Sequence, residues 1–230
     1  MDRPLNDPRR LRLPLVVAVL VAVVVLALSA HRSAGAETAP HMNMGSSGGV
    51  TPHQLAFRNQ MRVLWEQHVA WTRLAIVSFA GDLPDLAVTE QRLLRNQGDI
   101  GDAIAPFYGD LAGRRLTVLL RHHILIAVDI LVDVRAGDQA TLATDLDRWT
   151  QNANRIAAFL HNANPHQWPL GELRQMMHRH LALTTREAVA QLGGDFAGSV
   201  RAYDAVEREI LGMADMLSTG IIAQFPGRFS

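Results

Sequence analysis

The sequence predicts an all-α protein: six long helices paired as three antiparallel hairpins in one helical bundle, preceded by one N-terminal membrane-spanning or signal segment. Three observations lead there. From Thr51 onward apolar residues recur three and four apart, the period of a helix with one buried face. Glycine and proline fall between those stretches rather than inside short alternating runs. Aromatic residues make up only 6% of a chain rich in Ala, Leu and Arg, a composition that favours helix over strand.

Residues 1–12 are a basic n-region, with Arg3, Arg9, Arg10 and Arg12, and residues 13–30 are an uninterrupted apolar run. As a helix that run spans about 27 Å, close to the roughly 30 Å of a hydrocarbon core. It reads as a signal peptide or a membrane anchor. Ala34-Gly35-Ala36 suits cleavage before Glu37, whereas the length of the run suits retention. The arginines precede the run, so the following domain is expected outside the cytoplasm, at the cell membrane or secreted. Arg9-Arg10 is weak as a twin-arginine signal. Residues 31–50 form a flexible linker, in which His41-Met42-Asn43-Met44 carries ligand types that suit Cu(I). That string is a weak signal, and a plain linker is the favoured reading.

The domain covers residues 51–226, followed by a tail at 227–230. Thr51-Pro52 supplies an N-cap and first-turn pair. Breaks at Gly81, Pro84, Gly109, Gly137, Pro165, Pro169, Gly193 and Gly194 predict helices over 52–80, 84–107, 110–136, 138–162, 169–192 and 195–224. Such short connections make consecutive helices antiparallel neighbours.

An internal repeat runs through the three hairpins. Leu64-Trp65-Glu66-Gln67-His68, Leu119-Leu120-Arg121-His122-His123 and Met176-Met177-His178-Arg179-His180 share one phrase, with histidines 55 and 57 residues apart. An acidic turn follows each: Gly81-Asp82, Gly137-Asp138 and Gly194-Asp195, whose aspartates are expected to cap the next helix. The second helices then carry polar residues at similar depth: Asn96 to Asp99, Asn152 with Asn154, and Asp215.

His68, His123 and His180 each lie within an apolar stripe, so all three are expected to point inward at mid-helix. Two readings follow. If the hairpins surround a pseudo-threefold axis, the three imidazoles converge as ligands of a divalent transition metal with one position open. Otherwise each His bonds within its own hairpin, with Asn96, Asp99, Asn152, Asn154 and Asp215 as candidate partners. His122 and His178 fall off the stripe and are expected at the surface. Asp129 and Asp133 form an i, i+4 pair expected on a solvated face, and the four tryptophans are expected in packing roles.

Other chemistries are excluded. Zero cysteines remove disulfides, thiolate nucleophiles and cysteine-ligated metals. Twenty-two basic residues against 22 acidic ones, with no basic stripe, argue against nucleic acid as partner. Neither His-Glu-x-x-His, the Glu-x-x-His of di-iron bundles, nor Gly-x-Ser-x-Gly occurs.

Several phrases carry a resemblance. Leu64-Trp65-Glu66-Gln67-His68-Val69-Ala70-Trp71-Thr72-Arg73, Gly81-Asp82-Leu83-Pro84-Asp85, Arg92-Leu93-Leu94-Arg95-Asn96-Gln97, Pro106-Phe107-Tyr108-Gly109-Asp110 and Met213-Ala214-Asp215-Met216-Leu217 are among them, as is Gly220-Ile221-Ile222-Ala223-Gln224-Phe225-Pro226. Together they resemble a family of small exported all-helical proteins of Gram-positive bacteria, over about residues 52–226. The resemblance implies that the three inward histidines recur, and it brings no activity or cofactor with it. The expected function is therefore an extracytoplasmic binding or accessory protein for a transition metal or small ligand. The alternatives are a structural cell-envelope module and a His/Asp acid-base enzyme. The cytoplasmic membrane, met through the N-terminal segment, is the one expected partner.

Overall fold

The computed structural model describes residues 49–230, so the n-region, the apolar run and nearly all of the linker lie outside the described residues. Six helices follow: α1 (Pro52–Ala80), α2 (Leu86–Tyr108), α3 (Asp110–Ala136), α4 (Gln139–Ala163), α5 (Leu170–Leu192) and α6 (Phe196–Gln224), then a 3-10 turn at Pro226–Arg228. Among the described residues there is no strand, and no helix is long and apolar enough to cross a membrane.

The predicted boundaries hold to within two residues. The largest shift is at α2, which starts at 86 rather than 84. There the Leu83 amide bonds back to the Ser78 carbonyl and the Gly81 amide to Val77, extending the C-terminal wrap of α1 into the turn.

Side-chain capping marks three of the six helix starts. At α1, Thr51 and Gln54 form a reciprocal capping box. Asp138 accepts from the Thr141 amide at 3.1 Å, and Asp195 from Gly198 at 2.8 Å, as the repeat predicts. Asp82 departs from it: its backbone is left-handed (φ 49°) and its carboxylate meets Arg135 at 2.7 Å, while Asp85 takes the N-cap position. The turn after α1 is longer than its counterparts, so Asp82 stands three positions before the N-cap. Asp138→Ala and Asp195→Ala are therefore each expected to lower the melting temperature measurably, and Asp82→Ala to leave it nearly unchanged. Equal losses at all three sites would contradict this assignment.

Each helix packs on the next in sequence, and α6 returns to pack on α1, so the six form a closed ring. Across its middle, α5 also touches α1 and α3. One core fills the ring, from Phe57, Met61 and Trp65 of α1 to Ile210, Met213 and Leu217 of α6. Beside Thr51, whose hydroxyl donates to the Phe229 carbonyl at 2.6 Å, Phe57, Phe107, Phe225 and Phe229 form an aromatic cluster. Where α2 crosses α3 the backbones nearly touch at Gly101 and Gly113, and a Cβ added to Gly101 would lie 2.6 Å from the Gly113 carbonyl oxygen. The α4 to α5 connection is plugged rather than loose: Trp168 is fully buried against Gly220, and Asn164 donates to the Gly220 carbonyl at 2.9 Å. Trp65 and Trp149 are buried as expected, and Trp71 is half-buried under Arg92.

Candidate functional site

The odd-numbered helices bring the three histidines together. His68 on α1, His123 on α3 and His180 on α5 are 3%, 3% and 5% exposed. His180 stands between the others, with ring centroids 5.8 Å from His68 and 6.2 Å from His123. Convergence and intra-hairpin pairing, posed as rivals by the sequence, are both present.

The clearest pairing is in the second hairpin. Asn152 donates its amide to the Leu119 carbonyl at 3.1 Å, which makes its Oδ1 the acceptor for His123 Nδ1 at 2.9 Å. That assigns the His123 proton to Nδ1 and leaves a lone pair on Nε2, which is buried without a hydrogen-bond partner. Trp149 packs on the same ring, 5.1 Å between centroids, and donates to the His123 carbonyl.

In the first hairpin, Asn96 repeats half of this arrangement by donating to the Leu64 carbonyl at 3.0 Å. Leu64 and Leu119 occupy the same place, four residues before their histidines. Here, however, the Asn96 carbonyl accepts from Gln97 at 3.2 Å, and His68 has the Gln97 side chain as its polar neighbour, though its buried Nδ1 makes no hydrogen bond of good geometry.

The third hairpin places a carboxylate in the asparagine position. Asn96, Asn152 and Glu209 follow their histidines by 28, 29 and 29 residues. Glu209 Oε2 accepts from His180 Nδ1 at 3.2 Å with both side chains 6% exposed, and Glu209 Oε1 is buried without a partner. Thr184 Oγ1, one turn beyond His180, is likewise buried and unpartnered. A part-buried ion pair lies further along α5, where the buried Glu187 meets Arg73 of α1 at 2.8 Å. Arg73 also reaches Ser199 and lies over the Tyr203 ring.

These surroundings set the protonation states. Burial, followed by the neighbouring His180 and His123, pushes the His68 imidazole well below its ordinary range. Burial first and His180 second push His123 down to about 3, against the opposing bond to Asn152. Burial raises Glu187 to about 6, although Arg73 and His180 hold it down. The centre therefore combines two neutral imidazoles with an imidazole–carboxylate pair. Among the described residues, no three His, Asp or Glu side chains stand so that they could hold a metal ion as placed.

Three of the predicted supporting residues lie elsewhere. Asp99 is half-exposed and pairs with Arg92 at 3.7 Å, Asp215 is half-exposed and pairs with Arg62 at 3.3 Å, and Asn154 meets His178 at 3.0 Å. His178 is accordingly half-buried rather than a surface residue, whereas His122 is exposed. Asp129 is solvated beside Arg148, but Asp133 is buried, and its carboxyl is raised by burial and by Asp145. Gln97, Glu187 with Arg73, and Glu209 escaped the sequence reading. The 29-residue interval already pointed to Glu209; matching polar residues by depth along the helix led to Asp215 instead. Compared with protein families, curated proteins and solved structures, the chain matches none.

Proposed function

We propose that this chain is an extracytoplasmic helical binding protein, tethered or exported through residues 13–30, whose ligand is a transition-metal ion taken up at the buried His68, His123 and His180 centre. Kinship with the exported helical family of Gram-positive bacteria is part of this reading. The observation that carries it is the meeting of three imidazoles around a buried His123 Nε2 lone pair with no hydrogen-bond partner, beside a His68 ring whose buried Nδ1 makes no bond of good geometry; an unmet buried polar atom costs about 1 to 3 kcal/mol. The flanking bonds suit it as well. Metal-ligating histidines usually donate their second ring N–H to a carboxylate or carbonyl, as His180 and His123 do to Glu209 and Asn152. On this reading the rings turn toward a common point when the ion enters.

The competing reading is a structural one, in which the polar centre fixes register within the ring. It is favoured by the bonds made inside single hairpins and by the lack of a metal-ready triple among the described residues.

Zinc and copper titrations of residues 37–230 decide between them. Single His→Ala changes at 68, 123 and 180 are expected to lower affinity by similar large factors, with double changes adding little. Glu209→Gln is expected to lower affinity about 10- to 100-fold while leaving the helical fold intact. Metal-independent melts in which the three histidine losses simply add, at about 1 to 3 kcal/mol each, would overturn the binding reading in favour of the structural one.

A further inference from the structure

Between α3 and α4 the surface opens into a groove of about 430 Å³, within the roughly 300 to 1,000 Å³ of small-molecule sites. Its charged lining is all of one sign: Arg115 on the α3 wall and Arg155 on the α4 wall, with no Asp or Glu. Neither guanidinium is neutralised within the chain. Among the described residues Arg155 makes no ion pair or hydrogen bond, and Arg115 has only the Phe159 ring beneath it, at 5.9 Å. Two turns earlier on α4, by contrast, Arg148 is satisfied by Asp145 and Asp129.

Helix register orders the groove from a charged part to an apolar one. Asn152 of α4 bonds the Leu119 carbonyl of α3 at 3.1 Å, and Arg115 lies over Phe159. In this antiparallel pair Arg155 is therefore close to the level of Leu119, and Arg115 stands about one turn below it on the opposite wall. Further down the walls are alanines, Ala112 and Ala163, and at the foot is Tyr108, whose hydroxyl is already donated to Gln224 at 2.7 Å. Tyr108 packs on Phe225, which belongs with Phe107 and Phe229 to the end of the ring where Thr51 begins the domain.

From this arrangement we infer that the α3–α4 groove binds an acidic lipid. Its phosphate or carboxylate lies between Arg115 and Arg155, and its acyl chain runs past Phe159 and the alanines toward Tyr108. Two guanidiniums on opposite walls suit an anion with several acceptor oxygens. The apolar walls below them offer nothing to a bare inorganic ion and require an apolar body. That body points to the end of the ring at which the chain arrives from residues 13–30, which is the direction of the bilayer if that run is the anchor. A lipid, rather than a soluble amphiphilic anion, is thus the source on the membrane reading, on which this choice rests. The site's chemistry depends neither on that reading nor on the metal.

The test uses the full chain and a diazirine-bearing decanoate, which labels what it touches on irradiation, with peptide mass spectrometry locating the label. Labelling is expected to saturate and to fall within residues 108–119 and 155–163. The matching alcohol probe, which lacks the charge, is expected to leave the groove unlabelled. Arg115→Gln and Arg155→Gln are each expected to raise the half-saturating concentration about 10-fold, the loss of one charge-assisted bond. Arg201→Gln, at an exposed arginine of α6, should leave it unchanged. Suppression by nanodiscs of phosphatidylglycerol, but not of phosphatidylcholine, supports the lipid. Suppression by soluble octanoate and by neither nanodisc would overturn the lipid assignment while leaving the amphiphilic-anion site. A full chain that does not enter nanodiscs at all would count against the anchor rather than the groove. Labelling that never saturates, that scatters over the surface, or that is the same for the alcohol or after both Gln changes would overturn the proposal, with circular dichroism confirming that each variant is folded.

Discussion

Acidification is expected to unfold this domain steeply, because His68 and His123 are held neutral at its centre. In the unfolded chain both imidazoles take up protons near their ordinary pKa of 6.5, whereas in the folded protein they do so only far below it. The unfolded state therefore binds more protons as pH falls, and stability that is complete above pH 6.5 is lost below it. Each such group contributes a slope of about 1.4 kcal/mol per pH unit, so the two give about 2.7 kcal/mol per unit. Glu187 opposes them between its folded value of about 6 and its ordinary 4.5, since there the folded state takes the proton first. The net slope is then about 1.4 kcal/mol per unit over that interval and about twice as steep below it. By pH 4 the loss reaches about 5 kcal/mol, a large share of the roughly 5 to 15 kcal/mol of a typical domain. Denaturant melts from pH 7 to 4 measure it. A flat profile from pH 6.5 to 4.5 would refute the neutral assignment, and replacing both histidines by Gln is expected to flatten it.

The second large effect is expected at the crossing of α2 and α3. In Gly101→Ala the new Cβ would sit 2.1 Å from Thr117 Oγ1 and 2.6 Å from the Gly113 carbonyl oxygen. The hydroxyl can swing aside, but the backbone carbonyl belongs to a helix and can retreat only if the helices separate. Overpacking of this kind costs about 3 kcal/mol, or roughly 6 to 12 °C in melting temperature for a domain of this size. Gly113→Ala meets the Gly101 carbonyl at 2.7 Å and is expected to behave alike. Gly212→Ala, with open space around its Cβ, should cost little and serves as the control. An unchanged melting temperature in Gly101→Ala would show that the two helices do not cross this closely.

Helix number, order and inward histidines were legible because each rests on local chemistry: a 3.6-residue stripe, a glycine or proline break, a capping residue. The stripe around His123, with Leu116, Leu119, Ile126 and Ile130, could be satisfied in only one orientation. Partners were harder to read, because they depend on how far one helix slides along the next. Asp215 and Glu209 both lie on α6, nearly two turns apart, and the register of α5 against α6 decides which of them reaches His180. Glu187 was not legible because its partner, Arg73, comes from a helix more than a hundred residues earlier. Asp82 looked like its counterparts Asp138 and Asp195 until the turn's left-handed residue aimed it at Arg135 instead.

The closed ring has a kinetic consequence. Five of its six seams join helices that follow one another along the chain, and such contacts form quickly because little chain entropy is lost in making them. Only the α1–α6 seam joins the two ends of the domain. Once the other five are in place, its ends are already close, so it is the natural last step of folding. His68 rides on α1, and a bundle still open along that seam has no finished histidine centre. The His123 and His180 pairs can form with their own hairpins, but the three imidazoles meet only when the ring closes.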